Sequence, residues 1–203
     1  NIPMRKMLPE PASKETLNLP DDKHILILQG SGINIHRGSE ELVDAMQYLD
    51  DCMLLIIGGG DVLPILKQKV ADNHWDDRVR FYPRMPYKDM MAITRLARLG
   101  FTLDKPNNLN YLFSLPNKLF DYIQANVPII ASHLPEIERI IKGYNIGTFI
   151  EEHNPEHIAQ IIKEVISDEE SLKTWKNNLN FAAQELCWEN EEQTLIKIYE
   201  QYI

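Results

Sequence analysis

Cysteine is scarce in this chain of 203 residues: there are only two, Cys52 and Cys187. They are far apart, fit no metal-ligand spacing, and make no disulfide framework. They read as ordinary thiols of a reducing compartment. The six histidines, at 24, 36, 74, 133, 153 and 157, are scattered, so no metal site is expected. Long apolar runs are also missing. The longest are strand-length, such as Met53 to Ile57, which excludes a membrane-spanning helix. No signal-peptide pattern opens the chain. It starts at Asn1 without a Met, which predicts a fragment or a processed product. Positive charge is short too: 21 Lys and Arg face 30 Asp and Glu, a net charge of −9. This argues against a nucleic-acid binder, because a phosphate backbone is held mainly by Lys and Arg. The deficit is local. Residues 1–149 carry 17 basic and 18 acidic groups, and residues 150–203 carry 4 and 12. A local anion site in the first part therefore stays open.

What is present is an ordinary globular composition, 44% hydrophobic and 25% charged. Residues 1–22 hold four prolines and no sustained period, and read as a linker with few core contacts. From residue 23 short apolar runs alternate with helical spacing. Strands are expected at 24–29, 53–57, 78–82, 99–103, 127–131 and 147–150. Helices are expected at 39–49, 62–70, 87–96, 116–125 and 135–141, and then only helices at 155–167, 169–185 and 189–202. This rhythm of βαβ units predicts an α/β fold. Its sheet is Rossmann-like, doubly wound and parallel, with six strands in the order 3-2-1-4-5-6 and a helical tail.

In such a sheet ligands sit at the carboxyl ends of the strands, so the loops there carry the functional reading. Gly30-Ser31-Gly32 opens the first loop and Arg37-Gly38 closes it. Glycines let backbone approach a ligand, and Arg37 is a fork suited to phosphate. The loop is neither a dinucleotide fingerprint nor a P-loop, and it also reads as a plain strand-to-helix turn. Gly58-Gly59-Gly60-Asp61 follows the second strand, with Asp61 expected as the cap of the next helix. Tyr82-Pro83-Arg84-Met85-Pro86 is a stiff turn with open backbone groups. The most specific segment is Phe113 to Tyr122. Ser114 and Pro116 mark a helix start. Lys118 sits in the first turn, where the helix dipole prefers an anion, so it invites an anionic ligand. Asp121, three residues on, shares its face and could hold sugar hydroxyls, or simply pair with Lys118.

These blocks, in this order, resemble the C-terminal domain of a GT-B glycosyltransferase of family 4, or group 1, over residues 23–203. "GSGINIHRG" (30–38) is similar to the family's G-R-x(5)-[KR]-G loop. "LLIIGGGD" (54–61) is similar to L-x-I-x-G-x-G. "SLPNKLFDYIQANVPIIAS" (114–132) is similar to the donor-binding helix with its loop and strand.

The resemblance implies a nucleotide-sugar donor site formed by Gly30, Ser31, Gly32, Arg37, Gly59, Met85, Ser114, Asn117, Lys118 and Asp121, without metal or cofactor. In it Arg37 and Lys118 face the diphosphate, Asp121 the ribose, and the Met85 backbone the base. Three residues depart from the pattern. Ser31 stands where an arginine is usual, Phe113 where a glutamate near the sugar is usual, and Asp121 where a longer glutamate is usual. The resemblance further implies sugar transfer, of retaining hexosyltransferase type, to an acceptor glycan or glycolipid in polysaccharide or glycolipid synthesis. The setting it implies is the cytoplasm, with peripheral association at the inner face of the membrane. The acceptor domain and part of the catalytic residues would lie in an N-terminal half outside this chain, so the chain alone would not catalyse. The terminal helix, with Leu195, Ile196, Ile198, Tyr199 and Tyr202, would pack on that half. Two rivals remain: a Rossmann-like interaction module that has lost its ligand, and a GT-B nucleotide-sugar epimerase.

Overall fold

A computed structural model describes residues 2–4 and 8–201. Its centre is a six-stranded sheet: β1 (His24–Gly30), β2 (Cys52–Gly58), β3 (Val79–Tyr82), β4 (Leu99–Thr102), β5 (Ile129–Ser132) and β6 (Gly147–Ile150). The order is β3-β2-β1-β4-β5-β6, and every pairing is parallel. Parallel strands are covered on both faces, which is why β1 and β2 are continuous apolar runs. Their alternate residues feed two cores. Leu26, Leu28, Leu54 and Ile56 meet α1 (Ser39–Ala45), α2 (Leu63–Asp72) and α7 (Pro155–Ser167). Ile25, Ile27, Leu55 and Ile57 meet α3 (Tyr87–Thr94), α5 (Asn117–Ala125), α6 (Pro135–Tyr144) and α8 (Glu169–Glu185). Both cysteines are buried and unpaired, and burial with the neighbouring Asp51 pushes the Cys52 thiol up to about 12. Such a thiol is inert packing material.

The tail is helical as expected, ending in α9 (Trp188–Glu200). Asn154 caps α7 by accepting from the backbone N–H of Glu156 and His157, at 2.9 and 3.1 Å. Asp168 caps α8 through Ser171 at 3.0 Å. Tyr202 lies outside the described residues. No helix among the described residues is long and apolar enough to cross a membrane.

Three expectations need correction. The first helix is shorter than 39–49: α1 stops at Ala45 and tightens into a 3₁₀ turn over Met46–Tyr48. A short helix, α4 (Leu109–Leu112), occupies the loop after β4, started by Asn108, whose Oδ1 accepts from Tyr111 N–H at 2.9 Å. The proline-rich opening is not free of the core. Pro9 is buried and Leu19 is 6% exposed in the α3/α5 core. Proline-rich backbone cannot form a regular ladder, but its carbonyls accept bonds from elsewhere. Arg80 donates to the carbonyls of Leu17 (2.9 Å) and Asn18 (2.8 Å), Arg95 donates to Pro9, and Ala12 N–H reaches Ala92 O at 2.9 Å.

Candidate functional site

The loops after β1 and β2 are knitted into one surface. Gly59 N–H donates to Gly30 O at 3.2 Å, and Ile33 N–H donates to Gly59 O at 2.8 Å. Gly58 makes this approach feasible. Its φ is 136°, and a Cβ there would lie 1.8 Å from Gly30 O. Only glycine tolerates both conditions. Asp61 belongs to the same stitching and does not cap α2, whose cap is Val62. Its Oδ1 accepts from Ile35 N–H at 3.0 Å, and its own N–H donates to Asn34 Oδ1 at 3.3 Å. The reach of a carboxylate across to the β1 loop outcompetes the local cap.

Beside this surface, at the carboxyl edge of the sheet, between the ends of β1 and β2, the β3 loop and the start of α5, lies a cleft of about 600 Å³. Of the residues proposed from sequence, Gly30, Ser31, Gly32 and Arg37 line it from the β1 loop. Met85 lines it from the β3 loop, and Asn117, Lys118 and Asp121 from α5. Gly59 and Ser114 do not line it. Gly59 is covered by the Arg84 side chain, whose Nε is 2.5 Å from where a Cβ would sit. Ser114 turns its hydroxyl back to donate to Tyr111 O at 3.1 Å, closing α4 and leaving the start of α5 untouched. Pro116 holds the cap position of α5, and no side chain caps it. Leu119 N–H donates to Pro116 O at 3.0 Å, which leaves the N–H groups of Asn117 and Lys118, two residues of the cleft wall, without a partner among the described residues.

The charges are arranged unusually. Lys118 is 8% exposed, and no side chain among the described residues hydrogen-bonds or ion-pairs with its ammonium. Burial lowers its pKa from the ordinary 10.5; nearby Asp104 opposes that shift and Arg37 adds to it. Asp104 is 1% exposed, and neither of its carboxylate oxygens accepts a hydrogen bond among the described residues. Its nearest cation is Arg37, whose Nε is 3.6 Å from Oδ1. The Arg37 guanidinium also rests on the Tyr111 ring, 4.6 Å from its centroid, so the unforeseen α4 holds it in place. Asp121 is 7% exposed. Its Oδ2 accepts from Gln29 Nε2 at 3.0 Å and its Oδ1 from the Tyr87 hydroxyl at 2.9 Å. Burial raises its pKa; the two hydrogen bonds pull it back. Each oxygen keeps one lone pair for a ligand hydroxyl.

Three polar side chains of the lining were not proposed from the sequence: Gln29, Tyr87 and Arg84. Gln29 ends the β1 run, and its carbonyl oxygen accepts from the Thr94 hydroxyl, so its amide is aimed at Asp121. Only the pairing of β1 with α3 and α5 reveals that role; no local pattern does. Arg84 was visible as a charge in a proline-flanked turn, but its reach across Gly59 to Ser31 O (2.6 Å) was not.

Chemically, the cleft combines three cations, a row of helix N–H groups and one engaged carboxylate. Cations with helix N–H groups suit an anion such as phosphate, and a carboxylate suits hydroxyls. Among the described residues no three His, Cys, Asp or Glu side chains are grouped to hold a metal.

Several solved structures share this architecture. Sucrose-phosphate synthase (tll1590) from Thermosynechococcus elongatus matches with a TM-score of 0.77 at 21% identity, over 98% of this chain and 50% of that one. Anabaena Alr3699/HepE, solved in complex with UDP-glucose, matches with a TM-score of 0.82 at 14% identity, over 99% and 56%. The C-terminal domain of LpcC, a glycosyl transferase group 1 family protein from Francisella tularensis, matches at 0.65 and 16%, over 89% and 96%. The chain thus spans about half the length of the first two. It has the fold of one Rossmann-like half of a GT-B structure. No curated protein matches the sequence. The family model for glycosyl transferases group 1 matches residues 10–180, most of the chain. With sheet order and family model in agreement, the chain belongs to the group 1 glycosyl transferases.

Proposed function

We propose that this chain binds the donor for a glycosyltransferase that moves a sugar from a nucleoside diphosphate to an acceptor hydroxyl. The observation that carries the reading is Lys118: a buried lysine whose ammonium has no hydrogen-bond or ion-pair partner among the described residues, at the uncapped start of α5, in a cleft shared with Arg37 and Asp121. Burying such a charge is costly unless a ligand anion completes it. When the glycosidic bond breaks, the leaving diphosphate gains charge. Lys118, Arg37 and the α5 N–H groups would stabilise it without a metal or cofactor. Asp121 would accept from the ribose hydroxyls with the lone pairs that Gln29 and Tyr87 leave free. Met85, on the cleft wall, would offer backbone groups to the base. HepE was solved with UDP-glucose, which supports the ligand class.

The acceptor, a glycan or glycolipid, would be held by the other half of a two-domain enzyme, together with part of the catalytic residues. Such an enzyme would work on polysaccharide or glycolipid in the cytoplasm, at the inner face of the membrane, as a retaining hexosyltransferase. A cleft that keeps its cations and its carboxylate speaks against a module that has lost its ligand.

The test is a thermal-shift panel of UDP, GDP, ADP, their sugars and the bare nucleosides. A ligand that binds only the folded chain raises its melting temperature. One diphosphate series should raise it, and its nucleoside far less. A panel without any shift overturns the donor reading. Product analysis on the full-length enzyme separates sugar transfer from epimerisation, and reads the anomeric outcome.

A further inference from the structure

Arg84 is the cation of the cleft that the chemistry so far leaves unused. It comes from the turn after β3, and its side chain runs across the β2 loop to the β1 loop. Nη2 donates to the carbonyl of Ser31 at 2.6 Å. That is one of five N–H donors. Among the described residues no acidic side chain pairs with it, and Arg84 is exposed and lines the cleft, so its remaining donors are open to the cleft or solvent. The route passes over Gly59. A Cβ there would lie 2.5 Å from Nε, closer than side chains pack, and a tight 3.1 Å from Cζ, so the guanidinium would have to shift. Gly59 has an ordinary backbone conformation, so its lack of a side chain serves the passage of Arg84 and not a turn.

We infer that Gly59 and Arg84 form one anion-binding unit, in which glycine leaves a channel for the guanidinium and Ser31 O holds it over the β1 loop to take a phosphate oxygen of the donor. The inference rests on the donor reading and names a group it lacked. It also accounts for one departure from the pattern and one misplaced contact. Ser31 stands where a basic side chain would be expected, and a guanidinium arrives there from another strand. Gly59 was proposed as a ligand contact but lies beneath Arg84. A guanidinium fixed by one carbonyl keeps a pair of parallel N–H groups for phosphate, which a lysine ammonium cannot reproduce.

The rival is a clasp that only ties the β3 turn to the β1 loop. The test uses the 203-residue chain with whichever of UDP, GDP or ADP it binds, and the nucleoside of the same base. Arg84→Ala should weaken the diphosphate by about ten- to a hundredfold, the scale of a hydrogen bond to a charged group. The nucleoside should change by less than about threefold on that scale. Arg84→Lys should fall between. Gly59→Ala keeps the charge but blocks its path, so it should show the same selective loss. Gly59→Ala with Arg84→Ala should be no weaker than Arg84→Ala alone. Arg84 is exposed, so its variants should melt as the parent does. Equal losses for diphosphate and nucleoside, an additive double variant, or an Arg84→Ala chain that binds as well as the parent overturns the inference while the donor reading stands. A folded parent that binds no nucleoside diphosphate overturns both.

Discussion

Two helices of this chain break the ordinary burial rule in opposite directions. In α5 every residue from Lys118 to Ala125 is buried, including an ammonium and a carboxylate. In α9 no residue is buried, although Leu195, Ile196, Ile198 and Tyr199 are 44%, 42%, 49% and 62% exposed. Charged side chains are almost never fully buried unless paired, whereas single exposed apolar ones are common. The anomaly in α5 is therefore the more informative. Its apolar residues pack on β1 and β4 while Lys118 and Asp121 are carried into a cleft. In α9 the described chain covers these apolar side chains only in part. In the two-domain enzyme proposed above, the other half would cover that face.

The opening segment resembles α5 in that part of it is buried in the core. Leu19 is in the core, so Leu19→Ala should cost about 2–4 kcal/mol of stability, the range for a buried leucine. Denaturant unfolding measures it; an unchanged midpoint would return residues 1–22 to a loose linker. The next effect sharpens α5 itself. Lys118→Ala should weaken nucleoside diphosphate binding by about 1–3 kcal/mol and the bare nucleoside little. Calorimetry on both ligands reads this, and an equal loss for both would detach Lys118 from the phosphates. The same lysine sets a pH limit. Its pKa is lowered by burial, so as pH rises it loses its proton before an exposed lysine would. Diphosphate affinity should fall over that range, and Lys118→Arg should hold it. Asp121 acts at the other end. Its pKa is raised, so on acidification it protonates earlier than an ordinary aspartate, and ribose recognition should fade there.

Asp121→Asn is a smaller perturbation, about 1 kcal/mol, because the amide keeps one acceptor for Gln29 or Tyr87. It should affect the normal diphosphate more than its 2′,3′-dideoxy form. Equal losses would mean that Asp121 only shapes the site. The smallest effect is expected in α9. Ile198→Lys should change the stability of this chain by no more than about 0.5 kcal/mol, as for an exposed position without partners. A clear loss would show that α9 packs on this domain after all.

The fold was legible because strand and helix periods alternate cleanly from residue 24 onward, and parallel crossovers admit few orders. The site was legible where chemistry is local: Arg37 closing a glycine loop, Lys118 in the first turn of a helix. It was not legible where the partner comes from another strand. Gln29 reads as the polar end of β1, and only the sheet order puts Asp121 opposite it. Asp61 has the local sequence of a cap, yet a bond to the β1 loop takes it. Ser114 has the look of a helix start but finishes the preceding turn. Proline-rich residues 8–20 show no period, because arginine side chains, not a repeating pattern, hold their carbonyls.

A structure of the chain with its nucleoside diphosphate bound tests the central claim most directly. Phosphate oxygens should lie within about 3 Å of Lys118 Nζ and of the first N–H groups of α5, with the ribose hydroxyls on Asp121. A nucleotide lodged outside this cleft, or phosphates beyond hydrogen-bond reach of Lys118, would contradict it.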